Sequence, residues 1–169
     1  MKRIKLSVIM LLLAATAAVS QAVYSQTWEW VNPKPQGNNL SSVVMNSNTE
    51  GFAVGMLGTV MKTTDMGVTW QVQNTPTKKF MFDVTYSWVN DVFACGDSGT
   101  VLRTFDLGNT WLVSPTPVTV TLRGIHFTGH DTGFAVGNQG KIIRTINQGS
   151  SWQLITVPYN RNFNAVHFA

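Results

Sequence analysis

The stretch Thr63-Thr64-Asp65-Met66-Gly67-Val68-Thr69-Trp70 returns as Thr104-Phe105-Asp106-Leu107-Gly108-Asn109-Thr110-Trp111, and again as Thr145-Ile146-Asn147-Gln148-Gly149-Ser150-Ser151-Trp152. The spacing is 41 residues each time, and a fixed period near 40 signals a propeller or solenoid. The register extends outward in both directions. Gly55, Gly96 and Gly137 keep it, as do Gly58, Gly99 and Gly140, and Phe52, Phe93 and Phe134. Each unit opens on in-phase hydrophobes: Leu40, Met81, Leu122 and Phe163, then Val43, Val84, Ile125 and Val166.

Turn signals cut each unit into four short strands. In the first unit these are expected at about Leu40–Asn46, Gly51–Gly55, Thr59–Thr64 and Thr69–Asn74. Phe52-Ala53-Val54 and Val60-Met61 are apolar without alternation, which calls for burial on both faces. Blades stacked around an axis supply that environment, whereas an open sandwich leaves one face wet. The expected fold is all-β: a β-propeller of four-stranded antiparallel blades, with repeats at about 40–80, 81–121 and 122–162 and the start of a fourth at 163–169. Trp28–Asn32 reads as the last strand of an earlier blade, so the arrangement is expected to be an incomplete propeller, from a fragment or truncated product, with exposed blade edges open to self-association.

The eight-residue motif resembles the Asp box, or BNR repeat, of sialidase-type propellers. Its expected structural residues are Asp65, Gly67 and Trp70, then Asp106, Gly108 and Trp111, then Asn147, Gly149 and Trp152. The carboxylate can accept hydrogen bonds from turn amides, the glycine allows a left-handed backbone, and the indole packs beside the hairpin. Asn147 keeps the acceptor oxygen but lacks acid chemistry, which points to turn bonding rather than catalysis. The paired glycines between the second and third strands read as a tight hairpin, not a phosphate loop, because no Lys-Ser/Thr follows and no helix opens there.

Taken with Gly-Phe-Ala-Val-Gly (Gly51 to Gly55 and Gly133 to Gly137) and Lys62-Thr63-Thr64-Asp65, the pattern resembles the photosystem II stability/assembly factor family of BNR-type propellers. The resemblance covers about Trp28 to the end, and the middle repeat departs at Asp91-Val92. It implies an exported, cofactor-free, non-catalytic propeller that binds a protein partner. Two other readings share the repeats: a fragment of a sialidase-like glycoside hydrolase, and an adhesive or surface-recognition propeller of a larger secreted protein. A hydrolase needs at least a carboxylate pair, and beyond the leader the only glutamates are Glu29 and Glu50.

Lys2, Arg3 and Lys5 before the apolar run Leu6–Val19 have the layout of a signal peptide over 1–25, followed by the propeller over 26–169. The expected location is therefore exported: periplasmic, cell-surface or secreted. Loss of that leader lowers the formal net charge from +4 to +1, leaving no basic stripe to suit a nucleic acid. After cleavage no segment is long enough to span a membrane. Cys95, in phase with Val54 and Val136, reads as a small buried hydrophobe.

In propellers of this strand order, inter-blade loops and second-to-third-strand hairpins share one end. The expected partner-binding face presents Lys78, Lys79, Asp97, Arg123, Asn138, Gln139, Lys141, Arg161 and Asn162. Arg123 starts an axis-lining strand, as do arginines attributed to partner binding in the resembled family. Lys62, Arg103 and Arg144 repeat in phase and read as solvated or ion-paired strand ends. His126, His130 and His167 have neither helical spacing nor a completing ligand set, and no metal, cofactor or catalytic residue is assigned.

Overall fold

The computed structural model describes residues 36–46 and 49–168. The leader and Trp28–Asn32 lie outside the described residues. Within 36–168 the chain forms three four-stranded antiparallel sheets, one per repeat, each meandering in sequence order. Blade 1 is β1 (Leu40–Met45), β2 (Gly51–Gly55), β3 (Val60–Thr63) and β4 (Gln71–Val72). Blade 2 is β5 (Met81–Tyr86), β6 (Val92–Gly96), β7 (Val101–Thr104) and β8 (Leu112–Ser114). Blade 3 is β9 (Leu122–Phe127), β10 (Gly133–Gly137), β11 (Ile142–Thr145) and β12 (Gln153–Ile155). These are blades of a β-propeller.

The uninterrupted apolar runs sit where burial on both faces was expected: every residue of β2 and β6 is buried. The core is divided between blades. Phe52, Val54 and Val60 on the trailing face of blade 1 pack with Val84, Ala94, Leu102 and Trp111 on the leading face of blade 2. One period on, Phe93, Cys95 and Val101 pack with Ile125, Ala135, Ile143 and Trp152. Cys95 is thus a core residue, and burial pushes its thiol well above the usual range.

Two expected boundaries change. The fourth strand shrinks from Thr69–Asn74 to Gln71–Val72, because Thr69 is held by Asp65 rather than by a neighbouring strand. Residues 163–168, expected as the first strand of a fourth unit, form no ladder. They nonetheless pack on blade 3 in register: the Phe163 amide donates to Gly137 O at 3.0 Å, and the Phe168 ring lies 4.8 Å from Phe134. A strand needs a partner edge, and none of the described residues follows to supply one.

The glycine pairs do two different jobs. Gly58, Gly99 and Gly140 take positive φ, at 71°, 68° and 69°, ending a one-turn 3-10 helix between the second and third strands. Gly55, Gly96 and Gly137 are extended, and there glycine permits close approach: a Cβ on Gly55 would lie 2.0 Å from Asn39 O. That crowding accompanies a β-bulge at the start of each innermost strand, where the register slips across Ser41, Phe82 and Arg123.

Candidate functional site

The blades have two chemically distinct ends. At one end the Asp-box turns meet the loops between first and second strands, with Met66, Leu107 and Gln148 amides donating to Thr49, Asn90 and Asp131 carbonyls. Asp65 Oδ1 accepts the Thr69 amide at 2.8 Å, and Oδ2 accepts the Thr69 hydroxyl at 2.5 Å. Asp106 repeats both bonds with Thr110, at 2.9 and 2.6 Å. At Asp65 the Thr69 bonds lead in holding the carboxyl below its ordinary value. At Asp106 burial pulls upward, but the bonds from Thr110 and Thr104 outweigh it and the net shift is down.

Sequence reasoning missed a second actor in this turn, the threonine two residues before the Asp position. Thr63 Oγ1 accepts the Gly67 amide at 2.9 Å while donating to Asp65 Oδ1 at 2.8 Å. Thr104 and Thr145 do the same for Gly108 and Gly149, so their phase was the available signal. Asn147 Oδ1 still accepts the Ser151 amide at 3.0 Å, but its Nδ2 now donates to the Ser151 hydroxyl, reversing that bond. Trp111 and Trp152 are 5% and 6% exposed and meet Phe52 and Phe127 edge-on at 5.8 and 6.1 Å. Trp70, with no described blade before it, is only half-buried.

The in-phase cations are neither solvated nor ion-paired where a blade follows. Lys62 Nζ donates to Leu107 O in blade 2 at 2.8 Å. Arg103 Nη1 donates to Gln148 O in blade 3 at 3.2 Å and to Ser150 Oγ at 3.1 Å. They clasp each blade to the Asp-box turn of the next. Arg144 is exposed and lies over its own Phe134 ring at 5.8 Å.

The opposite end carries the three 3-10 turns, the inter-blade connections and the bulges. Thr75 and Thr116 hydroxyls donate to Gly58 O and Gly99 O at 2.7 and 2.6 Å, tying each connection to the turn of its own blade. Several predicted face residues meet here: Arg123 Nε donates to Asn138 Oδ1 at 2.7 Å, and the Gln139 amide donates to Asn162 Oδ1 at 3.1 Å. Asp97 Oδ1 accepts the Thr121 hydroxyl at 2.9 Å, and Arg161 O accepts the Gly140 amide at 2.6 Å. Lys78 and Lys79 stand exposed on the connection from blade 1 to blade 2, while Lys141 is half-buried beside the third turn.

Phe80 and Phe82 were missed. Their rings lie 4.4 Å apart, and the Arg123 guanidinium stands 5.4 Å from the Phe82 ring. Phe82 and Arg123 both occupy bulges, so adjacent blades offer an aromatic and a cation side by side on the axis-lining strands. Asp83 ties those strands together: Oδ1 accepts the Ser42 hydroxyl at 2.8 Å and Oδ2 accepts the Ile125 amide at 3.0 Å. It stands where Ser42 and Gly124 stand in the other units, so no repeat signal marked it.

The departure at Asp91 also has a cause. Its buried carboxylate lies 3.1 Å from His130 Nε2, joining blade 2 to the blade 3 loop, while His130 Nδ1 lies 3.2 Å from Asp131. The rings of His126 and His167 are 4.7 Å apart, and burial, then the His167 neighbour, lowers the His126 pKa. Among the described residues no group of three His, Cys, Asp or Glu side chains is placed to hold a metal ion. No helix among them is long and apolar enough to cross a membrane.

Fold, motif and turn geometry together define an Asp-box β-propeller. Residues 74–146 match the family model described as photosynthesis system II assembly factor YCF48. Among solved structures, YCF48 bound to D1 peptide is 24% identical with a TM-score of 0.68, over 75% of this chain and 42% of that one. YCF48 from Cyanidioschyzon merolae is 23% identical, with a TM-score of 0.61 over the same shares. An ancestral GH74 enzyme is 21% identical, with a TM-score of 0.62 over 83% of this chain and 21% of that one. No curated protein matches. The likeness to assembly-factor BNR propellers read from the repeats therefore holds, and the chain spans less than half the length of the solved structures named here.

Proposed function

We propose that the chain is a non-catalytic, exported propeller domain that binds a segment of a protein partner at the end bearing the bulges and 3-10 turns. The observation that carries this reading is the pairing of Arg123 with Phe82 on neighbouring axis-lining strands. A guanidinium over an aromatic ring, beside the Phe80 ring and the Asn138 amide, offers an apolar surface with convergent polar groups, as peptide recognition requires. The similar structure in which YCF48 is bound to D1 peptide supports a protein partner.

The carboxylates favour the non-catalytic reading. Asp65 and Asp106 serve their turns, Asp83 bridges strands, Asp91 faces His130, and Asp97 takes Thr121. A hydrolytic pair would need two carboxyl groups facing a common substrate space.

The test is binding of the exported protein to an array of overlapping peptides from the extramembrane segments of its host's membrane proteins. Arg123→Ala and Phe82→Ala should each weaken the peptides bound by the wild type about tenfold, with unchanged circular dichroism. Unchanged binding in both variants would refute the site. Turnover of any chromogenic glycoside in a panel, abolished by a carboxylate substitution, would refute the non-catalytic reading. N-terminal sequencing of the exported form should begin at Gln26, or at Val23 if the small-residue site Ser20-Gln21-Ala22 is the one cut.

A further inference from the structure

At the Asp-box end, the loop between β5 and β6 meets the loop between β9 and β10, well inside the described repeats. The first loop carries Trp88, 60% exposed, and Val89, 59% exposed. Aromatic surface left open among polar groups marks an interaction site. The exposure is not that of a loose loop. The Ser87 amide donates to Asp91 O at 3.0 Å, the Leu107 amide to Asn90 O at 3.2 Å, and Asn46 Nδ2 to Val89 O at 2.8 Å, so the backbone is pinned on both sides of the indole. The His130 ring lies 5.8 Å from Trp88 and is held in turn, with Nε2 3.1 Å from Asp91 and Nδ1 3.2 Å from both Asp131 Oδ1 and Gln148 Nε2. Trp88 also breaks phase, since Ser47 and Gly129 stand in its place in the other units. The repeat therefore accounts for neither its identity nor its exposure.

The charge around this indole is one-sided. The Asp131 side chain is 62% exposed, and Asp91, 10% exposed, backs the imidazole. Cations that reach the Asp-box end are engaged elsewhere: Lys62 and Arg103 donate to carbonyls of the next turn, and Arg144 lies over Phe134. The exposed Lys78, Lys79 and Arg161 stand at the opposite end. An aromatic face beside an open carboxylate suits a cation, because the ring face attracts positive charge and the carboxylate accepts its hydrogen bonds. We propose that Trp88 and Asp131 form a second recognition surface, which takes an arginine of a basic, extended segment of a protein partner. The guanidinium stacks on the indole and donates to Asp131, while His130 and Gln148 hold that carboxylate in place. Arginine is preferred to lysine because its planar fork can stack and bond at once. This surface is independent of the one at the bulge end, and the two together let a single domain hold two protein segments on opposite ends.

The experiment is fluorescence anisotropy of the full chain with a labelled glycine-serine peptide carrying two arginines, and with the same peptide carrying lysine, citrulline or glutamate instead. The arginine peptide should bind most tightly, the lysine peptide next and the citrulline peptide about fivefold more weakly or less, with affinity falling as salt rises. Trp88→Ala should weaken the arginine peptide about fivefold, Trp88→Phe should recover part of that, and Asp131→Asn should weaken it about threefold. Both side chains are exposed, so each variant folds, which circular dichroism verifies. An arginine peptide that does not bind overturns the proposal. So does binding indifferent to both substitutions, a citrulline peptide bound as tightly as the arginine one, or a neutral oligosaccharide that binds at Trp88 in preference to the peptide.

Discussion

The in-phase phenylalanines allow one substitution to be made three times in the same local setting while only the neighbouring blade changes. Phe93 is fully buried, stacks on Phe127 at 4.2 Å and lies against Gly149, so Phe93→Ala removes a whole ring from between two blades. Truncating a buried Phe costs about 3–5 kcal/mol, the upper part applying where surroundings cannot collapse. Sheets fixed by ladders on both sides of this ring cannot move in easily, so about 4 kcal/mol is expected. Phe52→Ala should cost about the same, since Phe52 meets Tyr86 and Trp111 at 5.9 and 5.8 Å and covers Gly108. Phe134→Ala should cost about 1–2 kcal/mol, because among the described residues Phe168 alone supplies a ring against it, at about 25 cal/mol per Å² of a partly exposed ring. For a domain of this size 4 kcal/mol lowers Tm by roughly 10–20 °C, and 1–2 kcal/mol by roughly 3–8 °C. Urea unfolding followed by tryptophan fluorescence, at protein concentrations below any association, reads the series directly. Equal costs at Phe93 and Phe134 would refute the reasoning, since they would mean that the trailing face of blade 3 is as well covered as an internal one.

The glycines beneath these rings should show the same asymmetry: Gly149→Ala is predicted to destabilise more than Gly67→Ala, as both take positive φ (66° and 84°) but only the first would drive a Cβ into a phenyl ring. Thermal melts decide it, and the reverse order would place the strain in the backbone alone. Asp83→Ala should cost about 1–3 kcal/mol by leaving the Ile125 amide without its acceptor, with Asp83→Asn recovering part of that in the same melts. Asp65 and Asp106 have lowered folded pKa values, so their contribution is present above the unfolded value near 3.8 and is lost as pH falls through the folded values. Denaturation midpoints measured from pH 6 downward should therefore fall below about pH 4, and Asp106→Asn, which imitates Asn147, should flatten that fall. Alkylation of Cys95 by iodoacetamide should occur only on unfolding, and rapid labelling of the native chain would contradict its burial.

The blade architecture was legible because a repeat multiplies evidence: each buried position is sampled three times, so Phe52, Phe93 and Phe134 declare a core position that one blade would leave ambiguous. The Asp-box turn was legible for the same reason, down to the meaning of Asn147. Three things were not. The clasps of Lys62 and Arg103 run from a strand to a turn residue 45 positions on, and phase shows which residues are equivalent but not which equivalents touch. Strand ends depend on side-chain bonds such as Thr69 to Asp65, which shorten β4 without changing composition. Asp83 and Asp91 act once each, across a blade boundary, so the period marks Asp91 only as a departure without its partner and Asp83 not at all.

That division bears on where function is to be sought. A residue that keeps its identity, or at least its acceptor oxygen, at every turn of the repeat is explained by the blade itself: Thr63, Asp65, Gly67 and Trp70 satisfy their own turn and need no ligand. A recognition residue has to break phase, because a partner contacts the axis-lining strands at different points of its length and the blades cannot all present the same side chain to it. The bulge row does so, with Ser41, Phe82 and Arg123 at equivalent positions. Ser41 spends its hydroxyl on Met81 O at 2.6 Å, whereas Phe82 and Arg123 offer a ring and a planar cation to whatever lies along the axis. The repeat explains the scaffold, and under the proposed function these departures from it are where specificity is to be tested.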